Sequence, residues 1–352
     1  MEWKTVKLGE VCARLKSGKG IPSSEVHNTG KYPVIGGNGI RGYADTLNFK
    51  GECGIIGRQG AYCGNVRYFN GEAYMTEHAI VVVGDNNTNT YYLTQLLSKM
   101  QLGHLSAQSA QPGLSVQILS KQIISLPPLI YQEKVAAILS SLDDKIETND
   151  RINRNLEAQA QALFKSWFMD FEPFGGVMPD DWREGVLGDI AEFKRGKGIL
   201  GKDAKPGKIP VVAGGIEPAY YHDTANTKAP VVTISASGAN AGFVRLYNED
   251  VWASDCSWID ANSKNLLWAY CYLSMNRHIL RHAQTGAVQP HVKAKDVNAF
   301  EIFVPSQEVI DDFINAIEPL FNKIANNQEE NKRLAALRDT LLPKLMKGEI
   351  AL

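Results

Sequence analysis

No feature of this sequence is typical of a disulfide-bonded, metal-binding or membrane-spanning protein. Its five cysteines are an odd number and include no C-x-x-C pair, so we expect reduced, mostly buried thiols. No apolar run approaches the roughly 18 residues that a membrane span needs. The start, MEWKTVKLGEV, has no apolar core of the kind found in signal peptides. We therefore expect a cytoplasmic protein without a metal ion and without a membrane.

The chain also has almost no net charge: the formal charge is −1 and the isoelectric point is near 6.7. The charges are nevertheless segregated. Residues 193–208 carry six Lys or Arg against a single Asp203, and residues 277–295 carry four Lys or Arg, three His and no acid. Basic patches of this kind suit contact with DNA, although an ordinary solvated surface explains them equally well.

One stretch, residues 132–168, has neither Gly nor Pro and predicts a long helix. Four aliphatic residues and one Asn recur along it at spacings of three, four and seven, as in the contact stripe, or seam, of a helix that packs on another helix. At 1.5 Å per residue the predicted helix is roughly 55 Å long. The predicted seam residues are Leu142, Ile146, Asn149, Leu156 and Leu163.

The strongest signal is an internal repeat with an offset of 178 residues. Gly18-Lys19-Gly20-Ile21 returns as Gly196-Lys197-Gly198-Ile199, and Gln111-Pro112 returns as Gln289-Pro290. The run at residues 60–67 (GAYCGNVR) returns at residues 238–245 (GANAGFVR). The long helix is repeated as well, at residues 307–347. The chain is therefore a tandem repeat of one unit, and each copy consists of a globular part followed by a helix.

The globular part of the first copy is predicted to be β-rich. Short apolar runs at residues 32–35, 54–56 and 79–83 alternate with Gly, Asn and Pro, as in short strands and loops. One helix is predicted at residues 90–99, with Thr90 as its N-cap. The prolines and the Gly-Gly pair of residues 170–181 indicate a linker between the copies.

These patterns together predict an α+β fold in which two β-rich domains are separated by two long helices that pair as an antiparallel coiled coil. The predicted boundaries are residues 1–129 and 182–305 for the domains, 130–169 and 306–352 for the helices, and 170–181 for the linker. Asn326, Asn327 and Asn331 repeat Asn149, Asn153 and Asn155, and such seam amides fix helix register. The predicted seam of the second helix comprises Ile324, Asn331, Leu334 and Leu341.

This arrangement resembles the specificity subunit of type I restriction–modification systems over essentially the whole chain. The resemblance is carried by short phrases that occur twice in the same order. At the domain starts they are Trp3 with residues 8–11 (LGEV) and Trp182 with residues 187–190 (LGDI). Within the domains they are the two Gly-Lys-Gly turns and the two Gln-Pro pairs. The run LPPLIYQE at 126–133 leads into the first helix, and the run LLPKLMKG at 341–348 ends the second. The first copy departs from the second at residues 108–112, QSAQP against GAVQP at 286–290.

The resemblance implies that the chain does no chemistry itself. Each β-rich domain would be a target-recognition domain for one half of a bipartite sequence in double-stranded DNA. The helices would set the unread spacer and dock two modification subunits, which bind S-adenosylmethionine and methylate a flipped adenine. Two restriction subunits that use ATP with Mg²⁺ would join them. No cofactor is expected in this chain.

Candidate DNA contacts follow from side-chain chemistry, because Arg, Lys, Asn, Gln and Ser read base edges while Lys and Arg hold phosphates. Ordinary turns in a β-rich domain are the alternative at any one position. The first-domain candidates are Lys16, Ser17, Lys19, Asn38, Arg41, Arg58, Gln59, Tyr62, Gln108, Ser109 and Gln111. The second-domain candidates are Lys194, Arg195, Lys197, Ser235, Ser237, Asn240, Gln289, His291, Lys293 and Lys295.

Other functions find little support in the residues. Glu77-His78 and Asp255-Cys256 stand at matched positions but have no spaced partners for a metal ion. The Gly-x-Gly turns miss the rest of a nucleotide-binding fingerprint, and no G-x-S-x-G elbow marks a hydrolase. An adaptor that binds sugar or protein through two lobes, and an enzyme acting alone, remain the alternatives. The aromatic run at 164–171 is interpreted as the packed end of the helix, or else as a partner-binding patch.

Overall fold

The computed structural model describes residues 2–106, 113–282, 291–350 and 352. The chain divides into two compact units, one formed by Met1–Glu147 with Asn331–Leu352 and the other by Thr148–Glu330. Each unit therefore takes one half of each long helix. The boundaries predicted from sequence cut the chain differently, because they set the helices apart from the domains that the helices pack against.

The first unit is built on a mixed sheet with helices on one side. Its strands and helices are β1 (Lys4–Lys7), β2 (Cys12–Ser17), β3 (Tyr32–Gly36), β4 (Gly39–Ala44), β5 (Phe49–Gly57), β6 (Val66–Met75), β7 (Ala79–Gly84), α1 (Thr90–Lys99), α2 (Val116–Ser120), β8 (Ile123–Leu126) and the first half of α3 (Leu129–Phe168). The strand order of the main sheet is β2-β7-β5-β6-β3-β4, and β1 pairs separately with β8.

The core of the first unit lies between this sheet and α1. The first four residues of β7 and the second half of β5 are continuously buried and apolar, as expected of central strands. Tyr92, Leu93 and Leu97 of α1 are almost fully buried, and the helix packs on β5 and β6. Burial of each such side chain contributes about 1.5–3 kcal/mol to folding.

The second unit repeats the plan with shorter strands. Its elements are β9 (Arg183–Val186), α4 (Leu187–Ile190), β10 (Lys194–Arg195), β11 (Ile209–Val212), β12 (Tyr220–His222), β13 (Val231–Ser235), β14 (Val244–Tyr247), β15 (Trp252–Ala253), β16 (Cys256–Ile259), α5 (Leu266–Met275), α6 (Arg277–His282), α7 (Ala294–Asn298), β17 (Glu301–Val304) and α8 (Gln307–Met346). The sheets are ordered β10-β16-β13-β14, β12-β11-β15 and β17-β9.

The two topologies match, except that β6 of the first unit corresponds to two strands of the second, β14 and β15. The β1–β8 pair corresponds to the β9–β17 pair, and both are antiparallel. A parallel contact also recurs, between β3 and β6 in the first unit and between β11 and β15 in the second. The predicted α+β fold and internal repeat are thus confirmed.

Within the first unit, the start of α3 and the end of α8 run antiparallel. The Nδ2 of Asn331 donates to the carbonyl oxygen of Ile146 at 3.5 Å, and Arg338 Nη1 lies 2.8 Å from Asp143 Oδ1. Further along, the hydroxyl of Tyr131 donates to the carbonyl oxygen of Leu345 at 3.1 Å. The bond to Asp143 raises the pKa of the Arg338 guanidinium, which therefore stays protonated.

Within the second unit, the other halves of the same helices are also antiparallel. Asn149 Nδ2 donates to Glu330 Oε2, and Asn327 Nδ2 donates to Asn153 Oδ1, both at 2.8 Å. Asn149 and Asn327 correspond by the repeat, and each is 1% exposed. Buried amides that bond across a seam favour one register over slipped alternatives.

The aromatic end of α3 is packed, as interpreted from sequence. Phe164 is 1% exposed and meets the ring of Phe313 at 5.7 Å and the ring of Trp268 at 5.5 Å. Phe168 lies 5.0 Å from Phe313 and 5.8 Å from Trp182. The helix end is therefore anchored in the core of the second unit.

The structure places the remaining predicted seam residues on this helix pair. Asn149 and Ile324 are buried, and the half-buried members are Leu142, Ile146, Leu156, Leu163, Asn331, Leu334 and Leu341. Asn155 and Asn326 are exposed, so counting them among the seam amides was wrong. They lie two residues after Asn153 and one residue before Asn327, which turns them away from the seam at 100° per residue.

Three local predictions need correction. The N-cap of α1 is Asn89, whose side chain accepts from the Tyr92 amide at 2.9 Å, and not Thr90. Asn and Thr both suit this position, so residue type alone could not choose. α3 begins at Leu129, directly after Pro128, rather than at residue 132. α8 ends at Met346, one residue earlier than predicted.

The cysteines of the chain are free thiols. Cys53, Cys256 and Cys271 are buried, and desolvation raises the pKa of Cys53 and Cys256 to about 12. These thiols therefore stay protonated and unreactive. In the part of the chain that the structure describes, no helix is both long enough and apolar enough to cross a bilayer.

Candidate DNA interface

Four segments of the first unit converge on the turn between β6 and β7. We call them the first loop cluster: residues 18–20, 36–39, 57–64 and 75–78. Lys19 N donates to Met75 O at 3.0 Å, and Arg58 N donates to His78 O at 2.9 Å. A Cβ at Gly18 would lie 2.1 Å from Met75 O, so only glycine allows this close approach.

The second unit has the same convergence, the second loop cluster: residues 196–198, 214–215, 235–242 and 253–256. Lys197 N donates to Ala253 O at 2.9 Å. A Cβ at Gly196 would lie 2.1 Å from Ser254 O. The Gly-Lys-Gly turn thus performs the same packing in both copies, which explains why it was so visible in the sequence.

The central turn of each cluster has one backbone conformation in both units. Gly60 and Gly238 have φ of 78° and 77°, and Gly64 and Gly242 have φ of 82° and 83°. Gln59 pairs with Gly113, and Ser237 pairs with His291, as isolated β-bridges. The repeat therefore preserves the frame of this turn while its side chains differ.

Substitution of the glycine in this turn is expected to disturb the frame. Gly238→Ala puts a side chain at a left-handed φ, which costs about 1–2 kcal/mol. We expect a lower melting temperature and weaker DNA binding by the assembled complex. Gly198→Ala is the matched control, because its Cβ would meet nothing within 4 Å and its φ is not left-handed. Equal behaviour of the two variants would contradict the importance of the turn.

Two arginines bond to backbone carbonyls in or next to the clusters and were not among the sequence candidates. Arg67 Nη2 donates to Gly37 O at 2.8 Å, and Arg245 Nη1 donates to Ile216 O at 2.6 Å. Burial lowers the pKa of the Arg67 guanidinium, as expected of a group that holds a backbone carbonyl away from solvent. Their matched positions in the repeat could have singled them out.

Basic side chains line an open cleft beside each cluster. In the second unit, a cleft of about 720 Å³ is bordered by Arg195, His291, Lys293 and Lys295, with Asp255 among them. In the first unit, a cleft of about 580 Å³ is bordered by Arg14, Lys16, Ser17 and Lys19. Sequence reasoning identified these residues except Arg14 and Asp255.

Two of the lysines in the second unit are held in place by tryptophans. Lys194 Nζ lies 5.4 Å from the ring centroid of Trp258, and Lys197 Nζ lies 5.9 Å from that of Trp252. Trp252 Nε1 also donates to Lys197 O at 2.8 Å. Cation–π contacts of this kind limit the freedom of the ammonium groups while leaving them exposed.

The other candidates vary in exposure. The exposed ones are Lys16, Lys19, Asn38, Arg41, Gln59, Tyr62, Lys194, Arg195, Lys197, Lys293 and Lys295. The half-buried ones are Ser17, Arg58, Ser237, Asn240 and His291. Gln108, Ser109, Gln111 and Gln289 lie outside the described residues.

Ser235 is placed differently from the other candidates. It is 4% exposed, and its hydroxyl donates to Gly214 O at 2.9 Å. This side chain is better placed to tie the 214–215 turn to β13 than to reach a base. Serine suits either role, so the sequence could not distinguish them.

A comparison of the clusters separates constant from variable positions. Lys16 and Lys19 correspond to Lys194 and Lys197, so these cations are the same in both copies. Positions on the central turn differ between the copies: Arg58, Gln59 and Tyr62 in the first correspond to Ala236, Ser237 and Asn240 in the second. Constant cations suit phosphates, which carry no sequence information, and varied side chains suit base edges, which do.

The described residues contain no cluster of three or more His, Cys, Asp or Glu that could hold a metal ion. Glu77 and His78 do meet, at 3.1 Å between Oε1 and Nε2, but no third ligand joins them. The side chains that the clusters present are hydrogen-bonding and charged groups.

A model of the type I restriction modification DNA specificity domain matches the chain twice, over residues 1–158 and 179–336. These two matches coincide with the two copies of the repeat.

Curated relatives agree with the family match. A type I restriction enzyme MjaIX specificity subunit of Methanocaldococcus jannaschii is 30% identical over 295 residues, covering 74% of this chain and 68% of that protein. A type I restriction enzyme EcoprrI specificity subunit of Escherichia coli is 36% identical over 158 residues. That second match covers 44% of this chain and 39% of the relative.

Among solved structures, the S subunit of a type I restriction–modification system from M. genitalium has the same fold. It superposes with a TM-score of 0.65 at 19% identity, covering 98% of this chain and 96% of that one.

Proposed function

This chain belongs to the type I restriction modification DNA specificity family, and from that premise we propose that it reads a bipartite DNA sequence, one half-site with each loop cluster. The observation that carries the proposal is the pair of clusters with one backbone frame and different side chains. Such a pair can bind the backbones of two stretches of duplex DNA in the same way while it contacts different bases in each.

The chain works, in this proposal, as a non-catalytic subunit in the cytoplasm. Methyl transfer belongs to two modification subunits that bring S-adenosylmethionine, and cleavage belongs to two restriction subunits that use ATP with Mg²⁺. The internal repeat supports the paired stoichiometry, because two similar copies offer two similar docking surfaces to identical partners. The paired α3 and α8 helices are the proposed docking surface and also the ruler for the spacer.

The test combines the chain with modification subunits, S-adenosylmethionine and a pool of random-sequence duplexes. Methylation of adenine at one defined sequence supports the proposal. Methylation at no defined sequence by complexes whose modification subunits are active would contradict it. The chain without modification subunits should transfer no methyl group, which separates the proposal from an enzyme acting alone. An adaptor for sugar or protein would show no dependence on DNA sequence.

Because the net charge is only −1, the isolated chain is expected to bind DNA weakly and to gain affinity in the complex. Titration of labelled duplex with the chain alone and with the assembled complex would measure this. Tight binding by the chain alone that does not weaken with salt would contradict the expectation, since phosphate contacts release counterions.

Lys197→Ala is expected to separate phosphate contact from base reading. Loss of this exposed cation should weaken binding to all sequences alike and reduce the salt dependence by about one released counterion. The recognised sequence should stay the same. Lys228→Ala, a change of another exposed lysine outside the second cluster and outside residues 193–208, is the matched control. A changed recognition sequence would assign Lys197 to a base instead.

A further inference from the structure

Each loop cluster contains one carboxylate at a matched position among the basic groups. Glu77 in the first cluster corresponds to Asp255 in the second, at the repeat offset of 178 residues. Both side chains follow the strand that lies parallel to β3 or to β11. A carboxylate at a surface that faces DNA phosphates is electrostatically unfavourable, because like charges brought together are repelled.

Asp255 is exposed and accepts a hydrogen bond from a serine. The Ser237 hydroxyl donates to its Oδ2. Gly214 lies against this pair, because a Cβ there would lie 3.0 Å from Ser237 Oγ and 3.5 Å from Asp255 Oδ2. Asp255 borders the same cleft as Arg195, His291 and Lys293. Within the described residues, no Lys or Arg lies at ion-pair distance from this carboxylate, so its other oxygen remains able to accept.

Glu77 occupies the equivalent place with different neighbours. Its Oε1 lies 3.1 Å from His78 Nε2, and Arg58 Nη1 donates to its backbone carbonyl at 3.4 Å. Its Oε2 is enclosed and has no hydrogen-bond partner among the described groups, so Oε1, beside His78, is the oxygen left to accept from a base. A Cβ at Gly20 would lie 3.8 Å from Oε2, so the Gly-Lys-Gly turn passes directly beside the carboxylate.

Few groups on a DNA duplex can satisfy a carboxylate. In the major groove the donors are the amino groups of cytosine N4 and adenine N6. Adenine also presents N7, an acceptor, which favours an amide that can donate as well as accept. A carboxylate has no proton to donate at neutral pH, so cytosine is its better partner.

We infer that Glu77 and Asp255 determine specificity, each accepting a hydrogen bond from a base amino group, cytosine N4 foremost, in the half-site read by its own cluster. Ser237 is a positioning residue that fixes the Asp255 carboxylate. The inference rests on the proposed function, because it assigns these residues within the two half-sites.

The test maps methylated sites for complexes carrying Asp255→Asn or Glu77→Gln, both close in shape to the native residues. Asp255→Asn should lower the preference for cytosine at one position of one half-site about tenfold or more and leave the other half-site unchanged. Glu77→Gln should do the same in the opposite half-site. Ser237→Ala should relax the same position as Asp255→Asn, by a smaller factor.

Controls separate base reading from structural support. Glu192→Gln removes an exposed carboxylate outside the clusters and should leave the recognised sequence unchanged. Melting temperatures of all variants identify any that are poorly folded. Asn keeps one acceptor oxygen where the carboxylate has two, whereas Asp255→Ala removes both, so its effect should be the larger. It should relax the same cytosine position.

The outcomes distinguish this inference from the proposed function. Native complexes that methylate no defined sequence would overturn both. A native recognition sequence that stays unchanged in Asp255→Asn and Glu77→Gln would overturn only the inference. Uniformly weaker binding by both variants, with the same recognised bases, would assign the carboxylates to loop structure and also overturn it. Relaxation at an adenine would support the amino-group contact but replace cytosine by adenine as its partner.

Discussion

Insertion of one heptad into both long helices is expected to lengthen the unread spacer by about three base pairs. The insertion points are after Glu147 in α3 and after Glu330 in α8, where the division between the units falls on both helices. Seven residues add roughly 10 Å of helix, and base pairs rise about 3.4 Å each. The double insertion keeps the antiparallel seam in phase. Mapping of methylated adenines would give the spacer length directly.

The added base pairs also rotate one half-site by roughly 100° about the DNA axis, which we expect to weaken binding. Seven residues inserted between Gly175 and Gly176 form the matched control. Both glycines have open space around them and lie outside the two long helices, so the spacer should not change. An unchanged spacer after the double helix insertion would show that the helices are not the ruler.

Phe164→Ala is expected to destabilise the second unit strongly. The side chain is 1% exposed and packs on Phe168, Trp268 and Phe313, so its removal leaves a cavity in the core. Large-to-small changes of this kind cost about 3–5 kcal/mol. For a unit of this size the melting temperature should fall by roughly 5–15 °C, measurable by calorimetry.

The control for this change is Phe303→Ala, which removes the same side chain from a position that is 50% exposed. It should lower the melting temperature by only a small fraction of the Phe164→Ala effect. Similar melting temperatures for the two variants would mean that the α3–α8 contact does not hold the core of the second unit together.

The architecture could be predicted from the sequence because the sequence contains an internal repeat. A short motif such as Gly-Lys-Gly is weak evidence for a shared fold when it occurs once, but it recurs after 178 residues. The recurrence reflects a packing constraint, because a Cβ at the first glycine would lie only 2.1 Å from a backbone oxygen in both units. The helix seam was also visible. The seven-residue spacing predicted Leu163 as the last seam residue, but the buried residue there is Phe164. A strict seven-residue period departs from 3.6 residues per turn, so the predicted seam shifts around the helix along its length.

The loop clusters were only partly predictable. Lys197 and Lys295 were identified by charge, but charge alone did not reveal that Ser235 is buried while Ser237 is not. Burial of a serine depends on tertiary neighbours, here Gly214 from a different strand connection. Asp255 was set aside as a poor metal ligand, and its place among cations emerged only from the fold.

The arrangement of the recognised sequence tests the central claim most directly. Long-read sequencing of DNA modified by the native complex would locate every methylated adenine in its sequence context. We expect two short, different blocks of specified bases separated by a gap of fixed length and arbitrary sequence. One continuous block of specified bases, or two blocks at varying distances, would contradict it.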